Sequence, residues 1–359
     1  MYIYAAPFIC VLSLHFTLPL GALCWIVYGQ SAILDTFHVQ SFFSWSLRRL
    51  VPDVWDGIFM LLPVRELLVM MQSCKRIRAH VIRYWMTAFN VGRLLHPFIA
   101  LGDIISFQDL LRRTGGIISG STALQFLDRR SFDVSSDLDL YVPSYQSAVL
   151  KDWLLLHGLS ETPTEDPAQD GTREYPLSPE INSVLNFTAA TTSHRVQIIS
   201  TKRDPAYAIL AFHSSKVSSF LHNRVCRLTE QIACVMNFIS HDAVYSLYPV
   251  STFSDRRSIV LGLLSPEERV AVSKYFRRGW FIQDLLGVDG MSDRPNELET
   301  RRRRVGDRLC WAFPLDLGLR ARDWRSGYLD CSWLVTPSEV RVGSSTYGQV
   351  LFYFKMLLL

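Results

Sequence analysis

Two aspartates one residue apart, Asp137 and Asp139, lie in the segment SDLDLYVP at residues 136–143, and a Gly120-Ser121-Thr122 turn precedes them. On an extended strand that spacing puts both carboxylates on one face together with Tyr141, while Leu138, Leu140 and Val142 fill the other. Paired carboxylates can hold a hard divalent cation such as magnesium. A Gly-Ser turn that opens a helix offers backbone N–H groups and the positive end of the helix dipole to an anion. A nucleoside triphosphate needs both. Amides must approach its phosphates, and carboxylates must hold the metal that neutralises it and activates the attacking oxygen. Gly120, Ser121 and Thr122 are therefore the candidate nucleotide contacts. Asp137 and Asp139 are the candidate metal ligands and catalytic residues. The plainer account is a turn with a helix cap, followed by two solvated aspartates; it leaves the pairing of the two features unexplained.

The flanking pattern supplies elements to position these residues. Residues 115–118 (GGII) suit a buried strand, 119–121 a tight turn, and 122–129 a helix with a Thr cap. Residues 145–157 read as a helix, 158–179 as a polar surface loop, and 184–189 and 196–201 as two further strands. A helix begins at Pro205 and resumes across 234–239, with 216–233 as an insertion between. Asp204, beside Lys202 and Arg203, suits an N-cap for that helix better than a metal ligand.

The string GSTALQFLDRRSFDVSSDLDLYV resembles the core of the nucleotidyltransferase superfamily. It is similar in particular to the Gly-Gly-Thr-Ala-Leu … Ser-x-Asp-Leu-Asp-Leu arrangement of AbiEii-like toxins. The resemblance implies a mixed α+β fold, a nucleotide held by Gly120, Ser121 and Thr122, and magnesium held by Asp137 and Asp139. If active, such a protein is a magnesium-dependent transferase acting on RNA or on a protein hydroxyl. Active members of the superfamily place a third carboxylate on a later strand. Here that strand carries Gln197, a weak neutral ligand, so the resemblance is equally that of a degenerate enzyme.

Upstream, LVPDVWDGIFMLLPVRELLVMMQSCKRIRAHVIRYW (residues 50–85) is helical by its apolar spacing and interrupted at Pro63. It resembles an F-box through Val51-Pro52, Ile58-Phe59, Leu62-Pro63, Cys74-Lys75, Arg78 and Trp85. That likeness implies an adaptor linked to a ubiquitin ligase; an ordinary three-helix packing unit is the other reading. Across 95–335 the chain resembles fungal proteins, with no assigned reaction, that pair an F-box-like segment with this core. Phe212-His213-Ser214, Val235-Met236-Asn237, Lys274-Tyr275, Arg278-Gly279-Trp280, Gly306-Asp307 and Trp311 carry that match.

The expected organisation is thus an apolar N-terminal segment (1–34), a small helical F-box-like module (49–86), a nucleotidyltransferase-like mixed sheet with flanking helices (87–260), and a C-terminal helix and strand extension (261–359). Composition fits folded domains, with 49% hydrophobic and 19% charged residues and a net charge of +4. That charge permits phosphate contact without arguing for nucleic acid. Lys274, Arg277, Arg278 and the run 301–304 could touch an RNA backbone, although a solvated basic loop explains the run as well. The seven cysteines show no paired metal or disulfide spacing, which points to an intracellular protein of the cytoplasm or nucleus. Residues 5–28 carry no acidic or basic side chain except His15. They read either as a membrane helix of about 20 residues, which would leave the main domain cytoplasmic, or as a buried apolar segment.

Overall fold

The structure, a computed structural model, describes residues 51–130, 136–162, 180–189, 194–211, 233–260, 273–284, 297, 302–317, 331–340 and 351–358. The apolar run 5–28, His213, Cys226 and most of the expected insertion lie outside these residues. Among the described residues no helix is long and apolar enough to cross a membrane. The chain forms two compact units that divide between Leu61 and Leu62, inside the F-box-like stretch rather than at either end of it. Of the first unit the structure describes helix α1 (Pro52–Leu61), where Trp55 and Phe59, one turn apart, stack at 5.2 Å.

The second unit opens with α2 (Val64–Met70) and α3 (Lys75–Ala88). Pro63 sits at the start of α2, where its missing N–H costs nothing. Val81, Tyr84 and Trp85 form the buried stripe of α3. That stripe is part of the main core, because the Trp85 and Phe89 rings each lie 5.0 Å from Phe313 and Phe89 lies 5.7 Å from Phe126. Short α4 (Val91–Leu95) and α5 (Ile104–Thr114) follow. The latter ends on Gly115 at φ +65°, and the Gly115 and Gly116 amides both turn back to the Leu111 carbonyl. This left-handed cap redirects the chain into the sheet.

That sheet has eight strands: β1 (Ile117–Ser119), β2 (Leu138–Pro143), β3 (Leu159–Thr162), β4 (Ile181–Ala189), β5 (Arg195–Thr201), β6 (Asn237–Ile239), β7 (Ala243–Ser246) and β11 (Trp311–Pro314). Their spatial order is β11-β7-β6-β1-β2-β5-β4-β3. Strands β2 and β5 pair in parallel, and every other pairing in the sheet is antiparallel. The protein is therefore a mixed α+β fold with flanking helices, among them α6 (Gly120–Asp128), α7 (Ser147–Leu156) and α8 (Pro205–Ala211). One face of the sheet, through Ile117, Tyr141 and Ile199, shares a core with Ala206, Ile209 and Leu210 of α8 and with Trp333. Asp204 caps α8 by accepting the Ala206 amide at 2.8 Å, and burial pushes its carboxyl above the usual range. Smaller sheets are β8 (Arg257–Val260) with β9 (Phe281–Asp284), and β10 (Arg302–Arg304) with β12 (Ser332–Val340) and β13 (Leu351–Leu358).

Five expectations are corrected. The helix expected over 234–239 is a short 3-10 turn (Ala233–Val235) followed by β6, a central strand. An apolar run buried on both sides has no period to separate the two. Helix α6 begins at Gly120, two residues early, and the polar loop expected over 158–179 starts with edge strand β3. The C-terminal region is no separate extension, since β11 completes the main sheet by pairing with β7. Finally, the basic run is no solvated loop. Arg303 is 1% exposed and lies beside the Tyr248 and Trp333 rings, 5.5 and 5.1 Å away. It donates to the Leu247 and Glu297 carbonyls and to both Asp307 carboxylate oxygens. Burial pushes the Asp307 carboxyl up, but the Arg303 hydrogen bond and charge outweigh it and hold it low. Arg303→Ala takes the buried cation from that carboxylate, which keeps only backbone amides of residues 304, 309 and 310, and removes a donor from two carbonyls; it is expected to cost about 3–5 kcal/mol in urea denaturation. Arg304→Ala, at an exposed position, should stay within about 0.5 kcal/mol.

Candidate functional site

Pairing of β1 with β2 sets Ser119 directly opposite Asp139. The next residue, Gly120, turns the chain into α6 at φ +71°, and the Asp139 carboxylate rests where its Cβ would be. Glycine is thus required twice, for the backbone angle and for the space the carboxylate takes. Ser119, at the helix cap, sends its hydroxyl elsewhere, to the Asn237 carbonyl at 2.6 Å. Ser119 itself does not cap the start of α6, and the side chain that lies at that start is Asp139. Thr122 is buried, and its hydroxyl donates to the Asp137 carbonyl at 2.7 Å. It ties the helix to the strand entrance and fixes where Asp137 stands. The Asp137 carboxylate has a loose ion pair with Arg195 at 3.9 Å, both side chains being about half exposed, so the pair is worth little energetically.

A second segment, distant in sequence, closes over the turn. Residues 273–277 are helical, and the buried Tyr275 lies with its hydroxyl 3.0 Å from that of Ser121. Arg278 reaches Ser121 Oγ through one guanidinium nitrogen and Ser136 Oγ through the other, each at 3.4 Å. One guanidinium therefore spans both halves of the motif. Tyr275 and Trp280 pack with Leu124 of α6, Cys234 and Val235, which docks the segment on the helix whose first turn it covers. The Trp280 indole donates to the Thr252 carbonyl, and Arg256 lies 4.6 Å from its ring while pairing with Asp128 at the far end of α6.

Of the five predicted residues, the structure brings Gly120, Ser121 and Asp139 together and ties Asp137 in through Thr122. Thr122 contributes its backbone and a strut rather than an exposed hydroxyl. Tyr275, Arg278 and Arg195 escaped the sequence reading as parts of this site, although the match at Lys274-Tyr275 and Arg278-Gly279-Trp280 was the available signal. On β5, Gln197 is in register with Asp139, and its amide donates to Asn186 of β4 at 2.8 Å. Among the described residues no three histidine, cysteine or acidic side chains gather into a metal cluster. The Asp139 carboxylate at the Gly120 backbone offers oxygen atoms of the kind that suit a hard cation such as magnesium, and the Arg278 guanidinium at Ser121 and Ser136 is of the kind that suits phosphate.

No protein-family profile, curated protein sequence or solved structure matches this chain. The site therefore stands on its geometry. Gly120→Ala forces a side chain into a left-handed angle and against Asp139. It is expected to cost about 1–3 kcal/mol in thermal or urea denaturation. Gly102→Ala, where an added Cβ meets nothing within 4 Å, should change stability by less than about 0.5 kcal/mol.

Proposed function

We propose that this protein is nucleotidyltransferase-like and binds a nucleoside triphosphate with magnesium at the Gly120-Ser121 turn. The observation that carries the reading is the seating of the Asp139 carboxylate on the Gly120 backbone. It sets a carboxylate beside the first turn of a helix, where metal and phosphates must meet. Arg278 over Ser121 supports the same reading by adding a fixed positive charge on the phosphate side. Asp137 and Asp139 would hold the metal, which when bound neutralises phosphate charge and polarises the phosphoryl group. Gly120 and Ser121 would hold the phosphates. If the fold still transfers, the acceptor is an RNA end or a protein hydroxyl. The Asp137→Ala, Asp139→Ala double variant is expected to stay folded and lose magnesium-dependent triphosphate binding by calorimetry. Equal binding by both proteins removes the proposal.

A second reading concerns residues 50–85. Val69 is 61% exposed on α2, an apolar position suited to an adaptor of a ubiquitin ligase in the manner of an F-box. Val69→Asp should abolish co-purification of that adaptor with the full chain while leaving thermal stability within a few degrees. Retained capture by this variant counts against it.

A further inference from the structure

We draw no further inference here: the strongest candidate, the surface patch at the Gly279 turn where the Phe276 and Phe281 rings stand exposed beside Arg277, carries none because nothing in the structure shows what covers it.

Discussion

The site depends on the register between β1 and β2. With Ile117 against Tyr141 and Ile118 against Leu140, Ser119 must face Asp139, and the following glycine must lie under the carboxylate. Side chains alternate across a sheet, so a slip of one residue would exchange Asp139 with Ile118 and Leu140 between the two faces and carry the carboxylate away from Gly120. Full burial of Ile117, Ile118, Leu140 and Val142 makes that slip expensive. Roughly 1.5–3 kcal/mol attends the burial of each large aliphatic side chain, so several acting together fix the register against any gain at the strand end. The core thereby aims one carboxylate without touching it.

Arg278 stands 157 residues from Ser121, and its placement has a different origin. The segment around it is held by apolar contacts of Tyr275 and Trp280 with Leu124, and by the Arg256 pair with Asp128. Both anchors lie on α6, whose first turn is the proposed phosphate seat. The helix therefore positions its own N-terminal amides, through β1, and the guanidinium above them, through its flank. Rigid support from a single element keeps the two in fixed relation, which is what recognition of a compact anion requires.

Strands around Ile117 and Leu138–Pro143 and the turn at Gly120 were legible because each had a local signature: alternation, a glycine pair, and apolar runs cut by polar turns. The placing of Asp139 beside that turn follows from the same local pattern. The strand Asn237–Ile239 was not, because Val235, Met236, Phe238 and Ile239 are all buried and carry no period. Arg303 was misread because a run of four arginines looks solvated, and nothing local reveals that Tyr248, Leu247 and Asp307 converge on the third of them. Tyr275 and Arg278 were visible as residues but not as neighbours of Ser121. That juxtaposition comes from long-range packing, and local spacing does not encode it.

Parallel pairing of β2 with β5 has one further consequence. Whatever stands at position 197 is the lateral neighbour of Asp139 across one strand spacing, about 4.8 Å. A carboxylate there would face a like charge, destabilising the sheet end whenever no cation lay between them. Such a pair holds together only when a cation or a shared proton offsets the repulsion. Gln197, bonded sideways to Asn186, removes that repulsion and gives Asp139 a neutral neighbour. The strand end can then persist equally with and without metal. The neutral amide pair thus holds this strand end in one shape, whatever lies beside Asp139.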